Sequence, residues 1–272
     1  MKKKPCLTIN DLTISFGGIK AVDHLNFHIL EGEIYGLIGP NGAGKTTVFN
    51  CITQFYKPNT GSVMFANRNN DLLNLVTMKT HQIISHGLVR TFQNVELIHE
   101  LSILDNLLVG AHVDFTSTVL QHAFRSKKAR EEERLLLERG KDILKFLGLD
   151  DKMHDLIGGQ PYGILKKVEL GRTLMSHPKL IILDEPAAGL NDTETIDLAR
   201  LLKEIRSNYN CTILLVEHDM RLVMDVCDRI CAISFGRKIG EGTPLEIQSN
   251  KDVQEAYLGK VDDEDETCAD IR

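Results

Sequence analysis

Two stretches of this chain are apolar almost without a break and end on a charged or ionisable residue. Lys179-Leu180-Ile181-Ile182-Leu183-Asp184 stops at an acid, and Thr212-Ile213-Leu214-Leu215-Val216-Glu217-His218 stops at a histidine. A third, Glu33-Ile34-Tyr35-Gly36-Leu37-Ile38, runs into glycine. Continuous apolar strands separated by helices predict a parallel sheet buried on both faces. Leu12 to Phe16 alternates instead, Gly17-Gly18 turns, and Ala21 to Leu30 continues a sheet up to a turn at Glu31-Gly32-Glu33. A helix with apolar spacing is predicted from Thr46 to Ile52, then a turn over 57–61 and a short strand from Ser62 to Phe65. Residues 67–80 read as polar, irregular and exposed. Gly87 to Phe92 reads as a strand ending at Gln93.

Residues 102–157 change character. Leu135, Leu136, Ile143, Leu144 and Leu147 recur at helical spacing, and a dense charge run extends from Arg125 to Lys141. Lys127 with Glu131, and Lys128 with Glu132, are i,i+4 neighbours, so mixed signs along the run describe a solvated face. The region is expected to form a helical insert of about residues 100–178, with a helix from Lys166 to Ser176. Strands and helices resume at Leu180. One domain over 6–260 is expected, followed by a disordered acidic tail over 261–272.

Composition narrows the classes. In 272 residues, 42% are hydrophobic and 26% charged, with a net charge of −6, so nothing points to nucleic acid as a partner. No apolar run approaches the roughly 18–20 residues of a membrane span, and no apolar core follows the basic N-terminus, so a cytoplasmic chain is expected. The six cysteines are scattered and complete no zinc pattern; they read as reduced, mostly buried small hydrophobes.

The chemistry is concentrated in Gly39-Pro40-Asn41-Gly42-Ala43-Gly44-Lys45-Thr46-Thr47, which matches G-x-x-x-x-G-K-[ST] at every fixed position. Glycines let the backbone wrap phosphate oxygens and aim N–H groups inward. Lys45 carries a point charge to the β- and γ-phosphates, the Thr46 hydroxyl suits Mg²⁺, and the following helix offers its positive end. The flanking strand and helix are the context this loop requires. Asp184, at a strand end, reads as the acid that holds Mg²⁺ through its water shell, and Glu185 as the general base or water-positioning group. His218 ends another strand of that sheet, placed to hydrogen-bond the γ-phosphate and the attacking water. Gln93, also at a strand end, offers an amide oxygen to Mg²⁺.

Taken together and in this order, these residues resemble the ATP-binding subunits of ABC transporters over nearly the whole chain. The resemblance implies an α/β fold: a P-loop NTPase core with a parallel sheet, an N-terminal antiparallel β subdomain and a helical insert. It also implies that Phe16 stacks adenine, that Arg90-Thr91-Phe92-Gln93-Asn94 is the glutamine loop, that Ala188-Gly189-Leu190-Asn191-Asp192 contacts a second subunit, and that His218 is the switch histidine. ATP and Mg²⁺ are the implied ligands. Two such domains would close head to tail over two ATP molecules, with Gly163 and Asp192 approaching from the opposite subunit. Pro186 to Asn191, the glutamine loop, the long insert and the ending Ala256-Tyr257-Leu258-Gly259 are similar to the branched-chain amino acid importer subgroup. Subunits for urea uptake and lipopolysaccharide export share several of these features. The implied partners are transmembrane permease subunits, a second ATP-binding subunit (the same chain or a sister ATPase) and, through the permease, an extracytoplasmic substrate-binding protein. The implied location is the cytoplasmic face of the inner membrane.

One loop departs from the pattern. The family's Leu-Ser-Gly-Gly-Gln aligns with Gln160-Pro161-Tyr162-Gly163-Ile164, where only Gly163 is kept. Pro161 cannot supply a hydroxyl, nor Ile164 an amide. Losing a transition-state donor costs about 10²–10³ in rate, so a slow ATPase, or one weakened site of a mixed pair, is consistent with the residues. A nucleotide-holding regulatory module and a soluble ATPase on ribosomes or DNA are the competing classes. Retention of Glu185 and His218 argues against the first; a single phosphate loop and an acidic balance argue against the second.

Overall fold

The computed structural model describes residues 3–91, 96–112 and 126–258. Four strands, β1 (Pro5–Phe16), β2 (Ile19–Leu30), β4 (Thr60–Ala66) and β5 (Leu72–Asn74), form an antiparallel sheet in the order β2-β1-β4-β5. Six others, β3 (Ile34–Ile38), β6 (Leu88–Arg90), β7 (Leu180–Asp184), β8 (Thr212–Val216), β9 (Arg229–Ser234) and β10 (Arg237–Gly242), form a second sheet in the order β10-β9-β3-β8-β7-β6. Its pairings are parallel except β9 with β10. Every residue of β3, β7 and β8 is buried, as uninterrupted apolar runs require when both faces of a sheet are covered.

Between the sheets lies α1 (Lys45–Ile52), which buries Val48, Phe49, Cys51 and Ile52. The core on the other face of the parallel sheet is continuous with the buried faces of α3 (Ile103–Val109), α4 (Lys127–Leu147), α5 (Tyr162–Leu174), α6 (Asp192–Tyr209) and α7 (Met220–Val226), α4 packing on α3 and α5. The short α2 (Thr80–Ser85) precedes β6, and α8 (Pro244–Gln248) and α9 (Lys251–Leu258) close the described chain. Among the described residues no helix is long and apolar enough to cross a membrane.

Several expectations are corrected. Residues 67–80 are irregular only in part: β5 pairs along β4, the Asn74 side chain accepts from Val76 N–H, and Leu75 is fully buried, while 67–71 form a largely exposed turn. The helix expected from Lys166 to Ser176 starts four residues earlier, because Pro161 (φ −55°, ψ 147°) takes the position before the first turn. Strand β6 is three residues long, and Phe92 and Gln93 lie outside the described residues, as does the acidic tail. Leu135 is 51% exposed, while Leu136, Ile143, Leu144 and Leu147 are buried; one residue, about 100° of helix, separates Leu135 from that face. On the same helix Glu131 pairs with Arg134 at 2.6 Å. Cys6, Cys51, Cys211, Cys227 and Cys231 are free and buried.

Candidate functional site

Strands β3, β7 and β8 end side by side. Val216 pairs with Leu37 on one side and with Asp184 on the other. The loops that leave these strands therefore converge at one edge of the sheet, the position in which open parallel sheets gather ligands. Those loops carry Gly39 to Gly44, Glu185 to Asn191, and Glu217 to Asp219, with Asp192 opening α6.

The first loop is a cradle that only glycine allows at two points. A methyl on Gly39 would lie 2.2 Å from the Ile233 carbonyl oxygen, and one on Gly44, at φ +104°, would lie 2.5 Å from that of Ala21. Asn41 and Gly42 are exposed, Pro40 is half-buried, and buried Ala43 accepts a hydrogen bond from Gly236 N–H at 2.9 Å. The Lys45 Nζ folds back over the loop, donating to Gly39 O at 2.7 Å and Pro40 O at 3.2 Å. Burial pulls its ammonium below the ordinary value, against the opposing pull of Glu185 and Asp184. Thr46 is exposed in the first turn of α1, with Thr47 half-buried behind it.

The acidic edge is tightly organised. Asp184 is buried and ion-paired through Oδ2 to Arg90 at 2.8 Å. Glu185 sits at φ +48°, a left-handed conformation unusual for a side chain of its size, held by its N–H to Val216 O at 2.9 Å. His218 Nδ1 lies 3.7 Å from Glu185 Oε1 and 3.9 Å from Glu217 Oε2. Glu217 is fully buried; its carboxylate accepts from Ala187 N–H at 2.7 Å, His218 N–H at 3.0 Å and Asp219 N–H at 3.3 Å. Asp219 in turn caps α7 by accepting from the N–H groups of Arg221 and Leu222.

Phe16 is half-exposed at the end of β1 with Tyr56 edge-on at 5.1 Å. Gly163 is not at the phosphate loop's glycines but against α6, where an added methyl would lie 2.9 Å from Glu194 Oε1. Beside it the Tyr162 ring covers Gly189, which a methyl would approach to 3.2 Å. The amides of Tyr162 and Gly163 stand at the open end of α5, since the Pro161 carbonyl already takes those of Ile164 and Leu165. Asp192 faces Arg221 at 3.5 Å.

Four side chains at this edge were not singled out from the sequence: Arg90, Glu217, Tyr56 and Tyr257. The Tyr257 phenol of α9 is pushed up by burial, against a hydrogen bond from the Gly39 backbone that draws it down. Arg90 stands among the residues quoted for the glutamine loop, and Glu217 directly precedes the histidine, so position alone could have flagged both. Tyr257 stands in the quoted ending Ala256 to Gly259 without a role attached to it, and nothing local marks Tyr56. As for a metal, no cluster of three or more His, Cys, Asp or Glu that could hold one occurs among the described residues. A hydroxyl and a carboxylate beside a phosphate cradle fit Mg²⁺, which binds through few protein oxygens plus phosphates and keeps several waters.

Residues 22–188 match the family model described as ABC transporter, and residues 237–263 match one described as branched-chain amino acid ATP-binding cassette transporter. The chain belongs to the ABC transporter family, as one of its ATP-hydrolysing cassettes. It is 41% identical over 257 residues to the high-affinity branched-chain amino acid transport ATP-binding protein LivG of Salmonella typhimurium, covering 94% of this chain and 99% of that one. BraF of Pseudomonas aeruginosa, with the same description, is likewise 41% identical over 257 residues, covering 94% and 99%. The crystal structure of an ABC transporter's ATP-binding cassette in its ADP conformation superposes with a TM-score of 0.80 at 31% identity, covering 94% of this chain and 100% of that chain.

Proposed function

We propose that this chain is the ATP-hydrolysing subunit of a membrane importer for branched-chain amino acids. The observation that carries the reading is the single sheet edge that holds Lys45, Asp184, Glu185 and His218 together. Likeness to LivG and BraF supports the cargo class. The functional domain is taken as residues 6–260, with the helical part of about 100–178 beside the permease.

Each residue then has a task. The cradle from Gly39 to Thr47 wraps the phosphates, and Lys45 leaves its carbonyl partners for phosphate oxygens. Phe16 stacks the base. Thr46, Asp184 and Gln93 hold Mg²⁺, Asp184 through its waters; the ion would neutralise charge on the β- and γ-phosphates. Glu185 orients and deprotonates the attacking water, and His218 holds the terminal phosphate. The open amides of Tyr162 and Gly163, with Asp192, approach from a second ATP-binding subunit, identical or sister. ATP acts as a ligand that favours the closed pair. The other partners are permease subunits at the cytoplasmic face of the inner membrane and, through them, an extracytoplasmic binding protein.

The test is ATP-driven uptake of radiolabelled leucine by proteoliposomes that contain the co-expressed permease. Uptake lost with Lys45→Ala supports the reading; uptake equal to that of the unsubstituted chain overturns it.

A further inference from the structure

Arg90 has no task in the reading above, yet among the described residues it is ion-paired to the proposed metal acid. It ends β6 opposite Ile182 of β7, two residues before Asp184. Its Nη2 donates to Asp184 Oδ2 at 2.8 Å and its Nη1 to Asn50 Oδ1 at 2.7 Å. The guanidinium also lies 5.7 Å from the Phe49 ring centre and 5.9 Å from that of Phe55. Both charged side chains are nearly buried, at 13% and 7% exposure.

Two consequences of this pair oppose each other. A cation beside Asp184 weakens its attraction for a second cation. A guanidinium that grips one carboxylate oxygen also fixes the rotation of the whole group, and so the direction of the other oxygen. The anchoring decides which dominates. A mere stand-in for a metal would need to swing away; this one is tied to α1 through Asn50 and flanked by two rings, so it stays. We infer that Arg90 is a positioning residue that holds Asp184 by Oδ2 and presents Oδ1 to the water shell of Mg²⁺. This rests on the nucleotide-site reading above.

The test uses the full chain, a fluorescent ADP analogue and a Mg²⁺ titration, with the concentration of Mg²⁺ that half-saturates the metal-dependent signal as the readout. Arg90→Met is expected to raise it about tenfold, the low end of what loss of a ligand-orienting partner costs. Asn50→Ala keeps the charge but loosens the guanidinium, and is expected to raise it by a smaller factor. An unchanged or lowered value in Arg90→Met, or in Asn50→Ala should the first variant fail to fold, overturns the inference. If the unsubstituted chain binds no nucleotide, the site reading itself falls; normal binding there with no change in the variants sinks only the role of Arg90.

Discussion

His218 Nδ1 stands 3.7 Å from Glu185 Oε1, across the gap between two neighbouring strand ends. The distance is too long for a hydrogen bond and leaves room for both groups to turn toward a third. Glu185 holds its place at a backbone angle that costs about 1–3 kcal/mol. Strain of that kind, maintained at a sheet edge, motivates placing the attacking water between these two side chains. Glu185→Gln keeps the shape but removes the proposed base. We predict ATP affinity within about twofold of the unsubstituted chain, with turnover lower by roughly 10²–10⁴. Single-turnover phosphate release beside equilibrium nucleotide binding checks both; turnover within tenfold of normal would remove Glu185 from the role.

Glu217 supports the histidine from below. Its buried carboxylate accepts three backbone N–H groups, from Ala187, His218 and Asp219. Glu217→Ala leaves those donors without partners, at a cost of about 1–3 kcal/mol. Urea unfolding should report that loss, and the variant should also slow phosphate release, because both loops that flank the proposed γ-phosphate position lose their tie. Unchanged unfolding would show that the three bonds contribute nothing net.

Gly44→Ala tests the cradle separately. The added methyl would meet the Ala21 carbonyl oxygen at 2.5 Å from a backbone at φ +104°. The loop must shift, so nucleotide binding should fall by at least tenfold while thermal stability falls by about 1–3 kcal/mol. Isothermal titration and a melting curve measure the two; normal affinity in a folded variant would contradict the packing described.

Alkaline pH should destabilise the fold. Burial pushes the thiols of Cys51, Cys211 and Cys231 up to about 12 and Cys6 to about 11, from 9.0. Cys227 and the Tyr35 phenol are pushed up in the same way. A folded-state value raised above the unfolded one stabilises below the unfolded pKa and loses that contribution as pH rises toward the folded value. The melting temperature should therefore hold to about pH 9 and fall between pH 9 and 12. For the same reason these five thiols should resist iodoacetamide at pH 8 until the chain is unfolded. Rapid native labelling at any of the five would contradict their burial.

The strands that carry the site were legible because burial on both faces writes itself as an unbroken apolar run, and the glycine spacing of the phosphate loop is local. Arg90 was not legible as a partner of Asp184, because their meeting depends on the register of β6 against β7. The Tyr257 contact with Gly39 spans most of the chain and follows only from how α9 folds back. Leu135 shows the limit of periodicity: adjacent leucines share a pattern, and only packing selects which one faces inward. The early start of α5 depended on Pro161, whose fixed φ favours a helix entry that a count of apolar residues overlooks.

If this sheet edge hydrolyses ATP, the reaction needs both Mg²⁺ and Lys45. The most direct measurement is Mg²⁺-dependent phosphate release by the purified chain, alone and with its co-purified permease, beside Lys45→Ala. Turnover is expected to require Mg²⁺ and to be lost in the variant, despite Pro161 and Ile164 in the loop that opens α5. ATP bound but never cleaved in either preparation would contradict it and leave a nucleotide-holding module in its place.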